Sequence, residues 1–220
     1  HKAGFQSPIL VQAQAAPDPD FPTVAFPNPE EPGAIDLALE TAKAFDAHLV
    51  IANDPDADRC AAAINDPATG WRMLRGDELG AIFAESIARK IDSGIFANSI
   101  VSSSIVRKIA AHYKLDFKET LTGFKWLAKI ENLTFGYEEA LGYAVDAKTV
   151  NDKDGISAAI TLAQIATDLA AEGKTILDLL DEVWARHGFH ATEQISIRLS
   201  DLSKVGVILG GLRSNPPKEI

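Results

Sequence analysis

The sequence predicts an α/β protein made of two α/β units whose sheets are mixed and largely parallel. Along its 220 residues, short apolar runs of strand length alternate with longer segments of helical periodicity. Strands that alternate with helices are typical of a largely parallel sheet covered by helices. A proline-rich segment at residues 16–33 and a turn at residues 66–70 interrupt the alternation, which favours two units over one.

The elements predicted before residue 75 lie on either side of the proline-rich segment. Apolar residues at 8–11 predict a short strand. The prolines that follow exclude regular structure, because each lacks an N–H group and restricts the residue before it. One apolar face predicts a helix at 34–45. Short, continuously apolar runs predict strands at 48–52 and 60–64, the first of the kind found in parallel sheets.

Beyond residue 74 helices and strands alternate regularly. Asp77 is the expected N-cap of a helix that runs to about residue 90. Apolar spacing predicts further helices at residues 104–113, 124–130, 154–171 and 175–187. Short apolar runs predict strands at residues 99–103, 117–121, 133–137 and 194–199.

The composition indicates an acidic globular protein. Asp and Glu total 31 against 21 Lys and Arg, which gives a formal net charge of −10. This charge repels phosphate backbones and no basic cluster offsets it, so we expect no nucleic-acid partner. The single cysteine excludes an intrachain disulfide and fits a reducing compartment, so we expect a cytoplasmic protein. No apolar run reaches about 18 residues, so we expect no membrane partner.

The strongest chemical signal is the acid loop, Asp54-Pro55-Asp56-Ala57-Asp58-Arg59, which directly follows a predicted buried strand. Ligands bind at the carboxyl ends of strands in α/β sheets. Three carboxylates on one turn repel each other unless a cation is present, and Mg²⁺ prefers such oxygen ligands. An EF-hand is excluded, because its sixth and twelfth positions would be Arg59 and Asn65 in place of Gly and Glu.

Three weaker motifs carry residues suited to a phosphorylated sugar. Glu138 and Glu139 follow a predicted strand between glycines, where carboxylates could accept hydrogen bonds from hydroxyl groups. Lys125 stands beside Trp126, so that a cation lies next to an apolar wall. Lys153 precedes a predicted helix cap and is free to reach a phosphate. Each pattern alone has a plainer reading: paired glutamates on a loop are usually solvated surface, a lysine beside a tryptophan is equally typical of a surface lysine next to a core tryptophan, and the last motif can be plain helix capping.

Two other functions remain open at this point. The first is a phosphatase that uses Asp54 as its nucleophile, although such an enzyme would assign no role to the third aspartate or to Arg59. The second is a non-catalytic acidic module that binds a divalent cation or a partner chain. The sequence contains no Walker loop, G-x-G-x-x-G, H-E-x-x-H, G-x-S-x-G or C-x-x-C motif.

Taken together and in order, the motifs resemble the α-D-phosphohexomutase superfamily of phosphoglucomutases and phosphomannomutases. The resemblance rests on the acid loop and on Arg75-Gly76-Asp77-Glu78, Thr122-Gly123-Phe124-Lys125-Trp126, Gly136-Tyr137-Glu138-Glu139-Ala140-Leu141-Gly142 and Asp152-Lys153-Asp154-Gly155. The sequence Gly136-Tyr137-Glu138-Glu139-Ala140 resembles the corresponding motif in the branch of long phosphoglucomutases and phosphopentomutases. The resemblance therefore implies part of the second domain and all of the third domain of a four-domain enzyme.

The resemblance implies a phosphoserine enzyme that moves phosphate between two positions of a hexose or pentose phosphate. The three aspartates of the acid loop would hold Mg²⁺ together with the phosphoserine, and Arg59 would lie beside the phosphoryl group. Glu138 would recognise the sugar, and Lys125, Lys153 and Glu139 are further candidates for substrate contacts. The substrates implied are glucose or mannose phosphates and, from the pentose branch, ribose phosphate.

The resemblance also implies how the chain is divided. Residues 1–74 would be the later part of the second domain, residues 75–190 the third domain, and residues 191–220 the lead into a fourth domain. The family's serine loop and its C-terminal phosphate-binding loop are missing from the 220 residues. We therefore expect these residues alone to be inactive. Ala140 also replaces the serine with which many members contact a sugar hydroxyl.

Overall fold

The computed structural model describes residues 3–193 and 199–217. The chain forms two compact units, residues 1–190 and residues 191–220. Within the described residues, the second unit contains helix α7, Ser203–Ser214, which the sequence did not predict. The first unit contains two β-sheets and the helices α1 Asp36–Ala44, α2 Gly76–Ala88, α3 Ile105–His112, α4 Phe124–Leu127, α5 Gly155–Ala171 and α6 Ile176–His187. These six helices confirm the predicted ones, with no end shifted by more than three residues.

The first sheet has the order β1-β2-β3, with β1 Leu49–Asn53, β2 Cys60–Asp66 and β3 Gly70–Met73. Both pairs of neighbours are antiparallel. The prediction that the first of these strands is of the parallel kind is therefore wrong. The acid loop is too short for a crossover connection, so it returns the chain directly beside β1.

The second sheet has the order β5-β4-β6-β7, with β4 Ile95–Ser99, β5 Asp116–Thr120, β6 Leu133–Glu138 and β7 Gly142–Ala144. Strand β4 pairs in parallel with β5 and β6, whereas β6 and β7 form an antiparallel hairpin. The predicted class, α/β with mixed and largely parallel sheet, is confirmed. The carboxyl ends of β4, β5 and β6 lie at one edge of this sheet.

Three local predictions are wrong or lie outside the described residues. Residues 8–11 form no strand, and a short 3-10 helix at Gln12–Gln14 follows them. The strand predicted at 99–103 is instead the β4 segment that ends at Ser99, and the apolar Ile100 and Val101 that suggested it are both 58% exposed. The strand predicted at 194–199 falls almost wholly on residues 194–198, outside the described residues.

Asp77 does not cap α2. The helix begins two residues earlier than that cap would place it, with Arg75 at the N-cap, and the Arg75 N–H donates to the Glu78 carboxylate over 2.8 Å. The buried Asp77 carboxylate instead accepts from the Ser103 N–H at 2.8 Å and from the Tyr137 hydroxyl at 2.9 Å. Asp77 thereby ties α2 to the loop after β4 and to β6.

One apolar core joins the two sheets in the first unit. It contains side chains of β2 and β6 together with those of α2, α3, α5 and α6. Tyr143 lies at its centre, edge-on to Phe83 with ring centroids 5.0 Å apart and stacked on Tyr137 at 6.3 Å. The two loops that carry most of the predicted site residues therefore stand on one packed body. No helix among the described residues is long and apolar enough to cross a membrane.

Candidate functional site

The acid loop brings its three carboxylates together at the end of β1. Oxygen atoms of Asp54, Asp56 and Asp58 all lie within 4.8 Å of one another. Asp54 is buried, Asp58 is half-buried and Asp56 is exposed. Ala57 adopts a left-handed backbone conformation, with φ of 57°, and so turns the chain between the last two carboxylates.

The backbone of the acid loop is fixed by β6–β7 and by the start of α5. The Asn53 side chain donates to the Arg59 carbonyl at 2.7 Å, and the Cys60 N–H donates to the Leu141 carbonyl at 3.0 Å. The Gly155 N–H donates to the Ala57 carbonyl at 3.0 Å. A Cβ atom on Gly155 would lie 2.2 Å from the Arg59 carbonyl oxygen, so only glycine permits this contact.

Asp54 and Arg59 are joined inside the loop by one ion pair and one backbone hydrogen bond. The Arg59 N–H donates to Asp54 Oδ1 at 3.1 Å, and Arg59 Nε donates to Oδ2 at 2.8 Å. Burial acts to raise the pKa of Asp54, but the hydrogen bonds and charge of Arg59 outweigh it and hold the pKa below its usual value. The carboxylate is therefore ionised at neutral pH.

Asp58 pairs with Lys153, which the start of α5 brings from 95 residues away. The Lys153 ammonium donates to Asp58 Oδ2, whereas Asp58 Oδ1 is buried and has no hydrogen-bond partner among the described residues. A buried carboxylate oxygen without a partner is costly, and a bound cation would satisfy it. The donor set, three carboxylates with one open buried oxygen, fits a hard divalent cation.

Glu138 and Glu139 lie at the end of β6 but face different partners. Glu138 accepts a short hydrogen bond from the Gly123 N–H, which ties it to the loop before α4. The Glu139 carboxylate accepts from the hydroxyls of Ser99 at 3.1 Å and Ser102 at 2.7 Å. The two neighbouring glutamates are thus anchored to different segments, Glu138 to the loop after β5 and Glu139 to the end of β4 and the loop that follows it.

These elements surround a cleft of about 350 Å³. Its lining residues are Asp54, Asp56, Asp58, Arg59, Glu138, Ala140, Gly142 and Lys153. Six of the eight predicted site residues are therefore brought together. Glu139 does not line the cleft, and Lys125 is exposed, with Nζ 5.7 Å from the centre of the Trp126 ring.

The cleft combines a potential cation site with two positively charged side chains and one further carboxylate, that of Glu138. The carboxylates could hold a divalent cation, and Arg59 and Lys153 could contact a phosphoryl group. Glu138 could accept hydrogen bonds from hydroxyl groups. One further residue joins this site that the sequence did not predict: Asn28, in the proline-rich segment, accepts from Arg59 Nη1 at 3.1 Å. No short-range pattern pointed to it, because the two residues are 31 positions apart.

Family models match both sheet-containing parts of the chain. Residues 1–70 match the phosphoglucomutase/phosphomannomutase α/β/α domain II, and residues 75–187 match domain III of the same family. The chain belongs to the phosphoglucomutase/phosphomannomutase family. The resemblance read from the motifs is thereby confirmed, including the assignment to the middle of the family's domain order.

Curated relatives of the phosphoglucomutase/phosphomannomutase family agree with this assignment. A Haemophilus influenzae protein named "Probable phosphomannomutase" is 48% identical over all of this chain, which covers 46% of that protein. The mouse phosphopentomutase is 35% identical over 94% of the chain and is covered to 36%. The Saccharomyces cerevisiae phosphoribomutase is 42% identical over 71% of the chain and is covered to 28%. The chain thus spans less than half the length of these relatives.

Solved structures of the family share the fold. A phosphoglucomutase/phosphomannomutase family protein from Burkholderia thailandensis matches 86% of this chain with a TM-score of 0.63 at 17% identity, and 38% of that structure is covered. The open form of the Paramecium phosphoprotein pp63/parafusin, a phosphoglucomutase, matches 86% with a TM-score of 0.60 at 22% identity, and 34% is covered. At these identities the likeness concerns the fold alone.

Proposed function

We propose that this chain is the metal-binding and sugar-recognising section of a phosphosugar mutase. The enzyme transfers phosphate between two positions of a hexose or pentose phosphate, through a phosphoserine supplied from outside the 220 residues. The observation that carries the proposal is the cleft itself, because the acid loop, Lys153 and Glu138 line one space although they come from three separate motifs. The names of the relatives, which include mannose, ribose and pentose phosphate mutases, support the substrate class.

In this proposal Mg²⁺ is held by the three aspartates of the acid loop. The open buried oxygen of Asp58 supports this assignment, because it lacks any other partner among the described residues. When bound, the metal ion supplies positive charge that stabilises a phosphoryl group during transfer. Phosphoryl transfer requires mainly positioning and such charge stabilisation, and the cleft offers groups suited to both.

The remaining roles are assigned to the side chains around the cleft. Arg59 contacts the phosphoryl group, since its guanidinium has donors beyond those used by Asp54 and Asn28. Lys153 contacts phosphate once the metal ion takes up the charge of Asp58. Glu138 accepts hydrogen bonds from sugar hydroxyls. Lys125, which is exposed, contacts the second phosphate of the substrate, and Glu139 acts by fixing the loop beside Glu138.

The domain division is part of the same proposal. Residues 1–74 contribute the metal loop to a second domain, and residues 75–190 form the third domain with the sugar-recognition loop. Residues 191–220 lead toward a fourth domain. The proposal takes the phosphoserine to lie outside these parts, so the 220 residues alone are proposed to be inactive.

A phosphatase with Asp54 as nucleophile is disfavoured by geometry. Both carboxylate oxygens of Asp54 accept hydrogen bonds from Arg59, and the side chain is 4% exposed. The hydrogen bonds from Arg59 hold the pKa of Asp54 below its usual value and so make its carboxylate a weaker nucleophile, whereas each oxygen keeps a lone pair for a metal ion. Trapping with beryllofluoride distinguishes the two: the phosphatase predicts modification of Asp54, whereas the mutase predicts modification of a serine.

The test is an assay of the complete gene product on glucose 1-phosphate, mannose 1-phosphate and ribose 1-phosphate with and without Mg²⁺. We expect Mg²⁺-dependent conversion of at least one of them to the 6- or 5-phosphate, and no conversion by the 220 residues alone. A complete protein that converts none of the three, or that releases inorganic phosphate instead, would contradict the proposal. The first of these outcomes would favour the non-catalytic module.

A further inference from the structure

We propose that Asn28 is a positioning residue that fixes the Arg59 guanidinium for phosphoryl transfer. The inference rests on the proposed function, because it concerns the same cleft. It assigns a role to the proline-rich segment, which by sequence is only an irregular connection. The segment supplies a side chain that reaches the acid loop from outside its sheet.

The first step of the argument is the way in which Arg59 is held. Asp54 Oδ2 accepts from Nε at 2.8 Å, and Asn28 Oδ1 accepts from Nη1 at 3.1 Å. The guanidinium is planar, so acceptors on two different nitrogen atoms define both its plane and its rotation within that plane. With Asp54 alone, the group could still swing about the Nε contact.

The second step is that Asn28 is itself held. Its Oδ1 also accepts from the Glu30 N–H at 3.2 Å, its N–H donates to the Phe26 carbonyl at 2.9 Å, and its carbonyl accepts from the Glu31 N–H at 2.9 Å. Prolines stand on both sides, and each fixes its own φ and restricts the residue before it. The acceptor therefore sits on a segment with little conformational freedom, as a positioning group requires.

The third step concerns the donors that remain. Within residues 3–193 and 199–217, Nη2 of Arg59 has no hydrogen-bond partner, and the side chain is 23% exposed where it lines the cleft. Because Nε and Nη1 are held by hydrogen bonds and Nη2 is not, the N–H groups of Nη2 are available to donate to a phosphoryl oxygen.

The test uses the complete gene product with three substitutions. Asn28→Ala removes the acceptor, and Asn28→Asp retains it. Asn65→Ala is the matched control, because Asn65 is exposed on β2 and does not line the cleft. kcat, KM and the melting temperature are measured with the best of the three sugar 1-phosphates, and crystal structures of the wild type and the Asn28→Ala variant are compared.

We expect Asn28→Ala to lower kcat roughly tenfold or more, because small displacements of a catalytic group have large effects on rate. KM should change less than about twofold, since Arg59 keeps its charge and its position in the chain. Asn28→Asp should recover most of kcat, and the melting temperatures of all variants should stay close to that of Asn65→Ala. The guanidinium should be rotated or in several conformers in the Asn28→Ala crystal.

Unchanged kcat in the Asn28→Ala variant would overturn the inference. Equal losses in Asn28→Ala and Asn28→Asp, with matching falls in melting temperature, would show a structural role only and would overturn it too. If the wild-type protein converts no sugar phosphate, the proposed function fails by itself. The crystal comparison then still decides, because an Arg59 side chain unmoved by Asn28→Ala would contradict the positioning role.

Discussion

Lys153 donates to one carboxylate oxygen of Asp58, and the other oxygen of the same carboxylate is buried and has no hydrogen-bond partner in the part of the chain that the structure describes. The pair joins the start of α5 to the acid loop, and each side chain is about 30% exposed. The Lys153 ammonium group therefore partly neutralises the negative charge of the proposed metal site. The same carboxylate is then shared between a lysine and a metal ion.

This sharing predicts that Lys153 weakens metal binding. Lys153→Met should tighten Mg²⁺ binding roughly threefold to tenfold, because removing a positive charge next to the bound cation relieves a repulsion of about 1 kcal/mol. Isothermal titration calorimetry with MgCl₂ measures the affinity directly. Lys90→Met is the matched control, since Lys90 is exposed and lies beside Asp168 at 3.7 Å, outside the cleft. Weaker Mg²⁺ binding by Lys153→Met would show that the lysine supports the metal site.

The tight contact at Gly155 predicts a large cost for a single methyl group. Gly155→Ala would place Cβ 2.2 Å from the Arg59 carbonyl oxygen and 2.6 Å from the Asn53 amide nitrogen. We expect the free energy of unfolding to fall by about 2 kcal/mol or more, since backbone must move to relieve the clash. Urea unfolding measures this, and Gly206→Ala in α7, where no atom lies within 4 Å, should be neutral or slightly stabilising.

If Gly155→Ala lowered the free energy of unfolding no more than Gly206→Ala does, α5 would not pack against the acid loop as described. The comparison is informative because both residues are helical glycines at negative φ, so conformational strain does not separate them. Only the surroundings differ.

The site was predictable to the extent that its residues share a local pattern. The acid loop follows a strand, as the sequence indicates, and its three aspartates come together in the structure. Asn28 was not predictable, because its contact with Arg59 spans 31 residues and depends on how the proline-rich segment folds back. The different surroundings of Glu138 and Glu139 were equally hidden, since they depend on Ser99 and Ser102 of another strand and loop.

Cys60 should be unreactive although it adjoins the acid loop. Its side chain is fully buried, and burial raises the pKa of the thiol to about 12. The thiolate is the reactive form, so it is scarce at neutral pH and out of contact with reagents. We expect 5,5′-dithiobis(2-nitrobenzoic acid) to label the native chain at least about 100-fold more slowly than the chain in urea. Fast labelling of the native chain would contradict the burial of β2.

A buried carboxylate, Glu85, connects three helices away from the cleft. It is fully buried in α2 and accepts from Arg89 at 3.0 Å and from the Tyr113 hydroxyl at 2.8 Å, as well as from Arg186. His187 Nε2 lies 3.3 Å from its second oxygen. The cluster therefore joins α2 to the end of α3 and to the end of α6.

This cluster predicts that stability declines with acid in two steps. Burial lowers the pKa of His187 below 6.5 despite the nearby Glu85, so protonation below that pH favours the unfolded chain. Burial acts to raise the pKa of Glu85, but hydrogen bonds from Tyr113 and Arg89 outweigh it and lower the pKa below 4.5. The stability that Glu85 contributes is thus present above pH 4.5 and is lost as the pH falls through its folded value.

Urea unfolding between pH 7.5 and about 2.5 measures both steps. Glu85→Gln should lower the free energy of unfolding by about 3 kcal/mol at pH 7, because Arg89 and Arg186 lose their carboxylate partner. The stability of this variant should also fall less steeply below pH 4.5 than that of the wild type. Glu172→Gln, an exposed partner of Lys174, is the control and should change by less than about 1 kcal/mol. A stability that is flat or rises toward pH 4 would contradict this account.

The fold was predictable where apolar residues recur at a regular helical spacing. It was misread where apolar residues are exposed and polar residues are buried. The long apolar spacing of α5 and α6 gave nearly correct ends. The strand expected at 99–103 rested on Ile100 and Val101, which are exposed, while the true strand is partly polar and ends in the buried Asn98 and Ser99. Strands β3 and β7 were missed because three or four residues carry too little periodicity to detect.

The most direct test of the central claim, that the acid loop is a metal site, is Mg²⁺ calorimetry of the Asp56→Ala variant. Asp56 is exposed, and its carboxylate makes no hydrogen bond or ion pair within residues 3–193 and 199–217, so its loss should leave the melting temperature unchanged. We expect weak Mg²⁺ binding by the wild-type chain and a loss of at least about tenfold in the variant, because one of three carboxylate ligands is removed. Asp92→Ala, an exposed aspartate outside the cleft, should bind like the wild type. Equal Mg²⁺ affinity in Asp56→Ala and Asp92→Ala would contradict the account.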